Sequence, residues 1–253
     1  MTMRRVLLVG QDKGGSGKSL VVRALAESVV TARIVELEDE KRLVELDDRV
    51  DFFPVRADRS EIDRTSGAAA RSEYDGVLDL MARKPAEGAA TPEPLIVDIG
   101  ANASRSFLPE VASRAASYRR IGVEFAMLTV ITAEPGAASS APIVLDLARP
   151  FARPLFVVEN QIEGAVDARI LKALGKDVVQ SRLAHLTLDP KANGLLQKGG
   201  LRFIAEKLGE AEDNLSEWFG FAAAGRMIQD LTAFRLKAMQ AVAPMAEWLE
   251  KGA

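Results

Sequence analysis

Short runs of apolar, often β-branched residues recur along the chain, separated by stretches in which apolar positions are three or four apart. The short runs are typical of buried strands, and the wider spacing is typical of helices packed on one side. We predict strands at residues 4–9, 32–38, 51–55, 95–98, 125–132, 154–160 and 185–189. We predict helices at residues 18–30, 41–50, 72–83, 104–118, 137–148 and 168–174. This alternation indicates an α/β fold with a doubly wound, mostly parallel sheet and helices on both faces.

Two further features refine this picture. Pro54 cannot donate a backbone hydrogen bond, which places the strand at 51–55 on an edge of the sheet. Residues from about 194 to 253 are predicted to be helical, with one apolar stripe that is typical of packing in a core or between subunits. The stripe consists of Leu231, Phe234, Ala238, Val242, Met245 and Leu249.

The first strand leads into a glycine-rich segment that ends in Gly17-Lys18-Ser19. Glycines lack a Cβ, so the backbone can turn through positive φ and approach a phosphate closely. A helix predicted to begin at about Lys18 directs its positive dipole end to the same place. Strand, glycine loop and helix predict a phosphate-binding loop, with Lys18 on the β- and γ-phosphates and the Ser19 hydroxyl on Mg²⁺. The predicted nucleotide-binding residues of this segment are Gly14, Gly15, Ser16, Gly17, Lys18, Ser19 and Leu20.

The segment departs from the general phosphate-loop pattern, because its first glycine position is Asp12 and a lysine follows. The sequence Lys13-Gly14-Gly15-Ser16-Gly17-Lys18-Ser19 resembles the deviant Walker A motif of the ParA/MinD family of ATPases. The resemblance implies a switch that binds and slowly hydrolyses Mg·ATP in a nucleotide-sandwich homodimer. It also implies that Lys18 contacts the subunit's own nucleotide, whereas Lys13 crosses the interface to the nucleotide of the partner.

Acidic residues end two of the predicted strands. The apolar run 95–98 ends in Asp98, the pattern of a Walker B strand, and such a carboxylate binds Mg²⁺ opposite the loop hydroxyl. The strand at 32–38 ends in Glu36-Leu37-Glu38, where the ParA/MinD family has Asp-x-Asp. The resemblance implies that Glu38 helps to position the attacking water, with a reach one methylene longer than that of aspartate.

Asn160 ends the predicted strand at 154–160. The resemblance places this residue where the family's adenine-reading asparagine lies. An asparagine side chain offers both a hydrogen-bond donor and an acceptor, which suits the edge of adenine.

Composition narrows the choice of family branch. The 253 residues fit a single nucleotide-binding domain over 1–253, with a helical part from about 194. The sequence contains no cysteine and one histidine, so disulfides, cysteine-held iron–sulfur or zinc sites and multi-histidine metal sites are excluded. Relatives that hold a cluster or zinc between subunits are therefore poor matches. No signal peptide or apolar run long enough for a membrane span is visible, so we expect a cytoplasmic protein.

The resemblance implies a role in positioning cargo, together with a protein partner that stimulates hydrolysis. Plasmid or chromosome partition and DNA transfer fit best, since the C-terminal residues do not form the basic amphipathic helix of membrane-targeting relatives. The formal net charge is −3, and acidic residues balance the basic ones after 194, so the protein as a whole does not attract DNA. Non-specific DNA binding stays open, because it would require the fold to gather the basic residues on one face.

Two other functions are compatible with the sequence. One is an ATP-dependent carboxylate-activating enzyme of the dethiobiotin-synthetase-like branch, although that branch usually lacks the equivalent of Lys13. The other is a nucleotide-binding scaffold without hydrolysis, which the replacement of the aspartate pair by Glu36 and Glu38 permits.

Overall fold

Seven parallel strands form one sheet at the centre of the computed structural model. The structure describes residues 3–55, 60, 64–65, 71–83, 92–101, 103–196 and 214–251. The strands are β1 (Arg4–Val9), β2 (Arg33–Glu38), β3 (Val50–Pro54), β4 (Leu95–Ile99), β5 (Val123–Ile131), β6 (Leu155–Asn160) and β7 (Val178–Leu183). Their order across the sheet is β3-β2-β4-β1-β5-β6-β7. This places β1 in the middle and β3, with Pro54, at an edge as predicted.

Helices connect the strands in the way that parallel pairing requires. The α-helices are α1 (Lys18–Ser28), α2 (Arg71–Ala82), α3 (Ser104–Arg120), α4 (Pro135–Ala148), α5 (Ala168–Ala173) and α6 (Phe221–Glu250). Residues 190–196 and 214–219 are also helical. The predicted helix at 41–50 is instead a 3₁₀-helix, Val44–Arg49.

Each face of the sheet is covered by its own hydrophobic core. Alternate residues of β1 point to opposite faces, as the period of a strand requires. Leu7 and Val9 join one core with residues of α1 and α6, whereas Val6 and Leu8 join the other with residues of α2, α3 and α4. The predicted doubly wound fold, with helices on both faces of a parallel sheet, is confirmed.

The predicted apolar stripe of the C-terminal helix is buried in the first of these cores. Helix α6 packs along α1, where Arg235 forms an ion pair with Glu27. Near its other end, the guanidinium of Arg5 lies over the Trp248 ring at 5.2 Å from the centroid. The stripe is therefore part of the core. Within the predicted helical region, residues 197–213 lie outside the described residues.

The last strand is not where the sequence predicts it. Residues 184–189 have no regular structure, and β7 lies earlier, at Val178–Leu183. Because β7 is an edge strand, its polar residues face solvent and interrupt the apolar pattern. Leu186 and Leu188 pack against the core from an irregular segment. Their alternation with polar residues resembles a strand although no partner strand pairs with them in the described sheet.

No helix in the described part of the chain has the length and apolar character needed to cross a membrane.

Candidate functional site

The segment from Gly10 to Gly17, here called the glycine loop, joins the end of β1 to the first turn of α1. Gly15 and Gly17 have φ values of 80° and 95°, in the left-handed region that side chains with a Cβ rarely adopt. A methyl group placed on Gly14 or Gly15 would meet no described atom within 4 Å. Glycine therefore permits the backbone conformation of this loop, and the space beside the α-carbons of Gly14 and Gly15 is open.

Asn160, at the end of β6, contacts the glycine loop directly. Its side-chain amide donates a hydrogen bond of 3.0 Å to the carbonyl oxygen of Ser16. A Cβ on Gly17 would lie only 2.5 Å from the same amide nitrogen. Asn160 is buried, so this side chain is part of the support of the loop. A contact with adenine stays a prediction for this residue.

Lys18 lies between two buried carboxylates. Its Nζ is 3.4 Å from Glu38 Oε1 and 3.6 Å from Asp98 Oδ1. The side chains of the three residues are 7%, 4% and 0% exposed, so this is a charge cluster removed from water. The hydroxyl of Ser19 donates to Asp98 Oδ2 at 3.4 Å. Four of the predicted site residues, from three separate segments, therefore meet at the carboxyl ends of the central strands.

Burial dominates the electrostatics of the two carboxylates. It raises the pKa of Glu38 and that of Asp98, while the Lys18 ammonium opposes the rise in both. Asp98 Oδ1 is buried without a hydrogen-bond partner in the described structure. This oxygen lies 3.6 Å from Lys18 Nζ, and the carboxylate stands beside the Ser19 hydroxyl, so the two side chains offer the hard oxygen donors that Mg²⁺ prefers.

Glu36 has a different role from Glu38, although the two share one face of β2. Its Oε1 accepts hydrogen bonds from the backbone N–H groups of Arg42, at 2.7 Å, and Leu43, at 3.2 Å. Burial raises the pKa of Glu36 even though these two bonds favour the carboxylate. Glu36 thereby shapes the turn after β2, and Arg42 Nη2 reaches to 3.6 Å from Glu38 Oε2.

Lys13 does not join the Lys18 cluster. Its Nζ lies 3.7 Å from Glu134 Oε1 at the start of α4, and its side chain is about half exposed. The neighbouring Asp12, which replaces the first glycine of the general motif, accepts a hydrogen bond of 2.8 Å from Arg105 Nε. Leu20, also predicted at the nucleotide, lies in the first turn of α1, and its partly buried side chain packs against the core.

Sequence patterns do not identify the contacts of Gln11, within the loop, or those of Glu134 and Arg105, which pair with Lys13 and Asp12. Glu134 followed by Pro135 is a recognisable helix start, with a capping side chain and proline at the first helical position. Gln11 and Arg105 carry no such signal, since their contacts join residues about a hundred positions apart in the chain.

Magnesium would have two protein ligands at this site. Among the residues that the structure describes, no group of three or more His, Cys, Asp and Glu side chains could hold a metal ion alone. The donor set of Ser19 and Asp98 suits Mg²⁺ bound together with phosphate oxygens and water, which is how Mg²⁺ usually binds with nucleotides.

No family model matches the sequence, and no curated protein matches it either. Solved structures with a similar fold include the MinD cell division protein of Aquifex aeolicus, with 12% sequence identity and a TM-score of 0.48. That alignment covers 90% of this chain and 97% of the other. A MinC:MinD cell division protein complex of Aquifex aeolicus matches with 13% identity and a TM-score of 0.46, covering 90% and 96% of the two chains.

Proposed function

We propose that this chain is a ParA/MinD-like ATPase, which binds Mg·ATP at the glycine loop and hydrolyses it slowly in a homodimer. The observation that supports this most strongly is the convergence of Lys18, Ser19, Glu38 and Asp98 within 3.4 to 3.6 Å of one another along a chain of contacts. The sequence motifs predict Lys18, Ser19 and Asp98 for this site, and the family resemblance predicts Glu38. They meet beside a glycine-rich loop at the N-terminus of α1, and a helix N-terminus preceded by such a loop favours phosphate binding.

Each of these residues has a proposed task. The ammonium of Lys18 and the amides of the glycine loop bind the phosphates, with the N-terminus of α1 adding its dipole. Ser19 and Asp98 would hold Mg²⁺, which neutralises phosphate charge when bound. Glu38 accepts a hydrogen bond from the attacking water and orients it in line with the leaving group. Asn160 supports the loop through its hydrogen bond to Ser16, and the family resemblance implies that it also contacts adenine.

Lys13 is the residue that makes the proposed enzyme depend on a second subunit. Its half-exposed side chain lies outside the buried cluster, so it is accessible to a partner in a way that Lys18 is not. A trans-acting cation in phosphoryl transfer accelerates the reaction by roughly 10³- to 10⁵-fold. The monomer is accordingly expected to be a slow enzyme.

The proposed cellular role is a switch in plasmid or chromosome partition or in DNA transfer, stimulated by a partner protein. The burial of the α6 stripe supports this choice over membrane targeting, because its apolar residues pack on α1 and the sheet.

The test is ATP turnover per subunit, measured against protein concentration for the wild type, Lys13→Ala and Lys18→Ala. Specific activity of the wild type should rise with concentration and then level off. Lys13→Ala should stay at the low monomer rate while still binding ATP, and Lys18→Ala should lose both binding and turnover. Specific activity that is independent of concentration, and equal in the wild type and Lys13→Ala, would contradict the dimer mechanism.

A further inference from the structure

Lys13 is held on its own subunit by the first turn of α4. Its Nζ is 3.7 Å from Glu134 Oε1, and Glu134 Oε2 accepts the backbone N–H of Ala137 at 2.8 Å. One carboxylate thus caps the helix and pairs with the lysine at the same time. The hydrogen bond from Ala137 lowers the pKa of Glu134, and Lys13 lowers it further, so the carboxylate is charged at neutral pH.

The lysine stem lies close to the backbone of this turn. A Cβ on Gly136 would lie 2.9 and 3.2 Å from the two carboxylate oxygens of Glu134, and 3.3 Å from Lys13 Cδ. These distances are shorter than ordinary van der Waals contacts of a Cβ atom with an oxygen or a carbon atom. A side chain at 136 would therefore push the ion pair apart, and glycine at this position is what permits the close approach.

Gln11 fixes the backbone of the loop to the same helix end. It is fully buried, and its Nε2 donates to the carbonyl oxygens of Val130, at 2.7 Å, and Ala137, at 3.3 Å. Its Oε1 accepts from the hydroxyl of Ser140 and, at 3.4 Å, from the backbone N–H of Lys13. These hydrogen bonds hold the backbone at 11–13 against α4. Lys13 can therefore separate from Glu134 only by rotation of its side chain, without movement of the loop.

From this geometry we propose that Glu134 is a positioning residue, which keeps Lys13 on its own subunit until the phosphates of a second copy of this chain compete for it. This inference rests on the proposed function, because it requires Lys13 to act on the nucleotide of a partner. Both side chains are partly exposed, 48% for Lys13 and 32% for Glu134, so the pair is weak enough to exchange. Triphosphate carries more negative charge than one carboxylate and is the stronger competitor.

The test uses Glu134→Gln in the full-length chain. Glutamine keeps an oxygen that can accept the Ala137 N–H, so the helix cap is retained while the charge that holds Lys13 is removed. The protein concentration that gives half-maximal ATP turnover should fall by about two- to fivefold, the range expected for an exposed ion pair. If this variant does not fold, Glu134→Ser also caps the helix without charge and takes its place.

Two controls separate the proposed role from a structural one. Asp167 caps α5 by accepting the N–H of Arg169 at 2.8 Å, so Asp167→Asn removes the charge of a helix cap elsewhere and should leave the half-maximal concentration unchanged. In a Lys13→Ala background, Glu134→Gln should have no effect on turnover, because the lysine that it frees is missing.

The outcomes distinguish this inference from the proposed function. A wild-type enzyme whose turnover depends on concentration, with the same or a higher half-maximal value in Glu134→Gln, would overturn the role of Glu134 alone. An effect of Glu134→Gln that persists without Lys13 would also overturn it. Wild-type turnover that does not depend on concentration at all would overturn the dimer mechanism, and this inference with it.

Discussion

Asn160→Ala tests whether the glycine loop depends on a side chain from another strand. The variant removes the side-chain amide that donates a hydrogen bond of 3.0 Å to the Ser16 carbonyl oxygen, and it leaves a gap beside Gly17. A buried hydrogen bond contributes about 1 kcal/mol net, and a buried acceptor left without a donor costs about 1–3 kcal/mol. We expect the free energy of unfolding to fall by about 1–3 kcal/mol.

The effect on ligand binding separates two roles of this asparagine. If the variant must spend about 1–2 kcal/mol of free energy to bring the loop into its binding conformation, its affinity for phosphate falls by about five- to thirtyfold. That loss should be the same for ATP and for inorganic tripolyphosphate, since both use the loop. A contact with adenine would weaken ATP binding further and leave tripolyphosphate untouched.

The assay is a calorimetric titration of wild type and Asn160→Ala with each ligand in the presence of Mg²⁺. Circular dichroism and a denaturant titration of the same samples establish that the variant is folded and how much stability it has lost. Tripolyphosphate binding that is identical in the two proteins would refute the loop-supporting role. Any extra loss for ATP measures the part of the affinity that comes from the base.

Three other predictions follow from single contacts. Gly17→Ala should destabilise the loop by about 1–3 kcal/mol, because φ at this position is 95° and the new Cβ would lie 2.5 Å from the Asn160 amide nitrogen. The variant should still fold but should no longer bind ATP, and undiminished ATP binding would contradict the loop geometry. Asp98→Asn should reduce the gain in ATP affinity on adding Mg²⁺ by about tenfold or more in the same titration, and an unchanged gain would remove Asp98 as a magnesium ligand. Tyr118 is buried, and burial raises its pKa to about 12, so the unfolded chain loses the phenol proton first as pH rises through 10. Urea titrations between pH 10 and 12 should show the wild type losing up to about 2 kcal/mol more than Tyr118→Phe, and parallel pH curves would contradict this.

The central strands and the Lys18 cluster could be predicted from sequence because local patterns determine them. A strand buried on both faces has an unbroken apolar run, and β4 displays this up to Asp98. The glycine loop has a fixed spacing between strand and helix, which identifies Lys18 and Ser19. Edge strand β7 has no such run, because four of its six residues are not buried, and the apolar pattern therefore predicts the strand several residues too late.

The division of labour between Glu36 and Glu38 could not be predicted. Both lie on the same face of β2, two residues apart, so strand periodicity treats them alike. The difference arises from the turn at 42–43, because its backbone N–H groups donate hydrogen bonds to the Glu36 carboxylate, whereas the Glu38 carboxylate pairs with Lys18. The hydrogen bond between Gln11 and Ser140 of α4 could not be predicted either, because the two residues are 129 positions apart in the chain and meet only in the folded protein.

The most direct test of the account is a crystal structure with Mg²⁺ and a slowly hydrolysed ATP analogue. We expect phosphate oxygens to bind the backbone amides of residues 14–19 and the Lys18 ammonium, and we expect Ser19 and Asp98 to be the protein ligands of Mg²⁺. A folded protein whose Lys18 stays paired with Glu38 while the nucleotide binds elsewhere, or not at all, would contradict it.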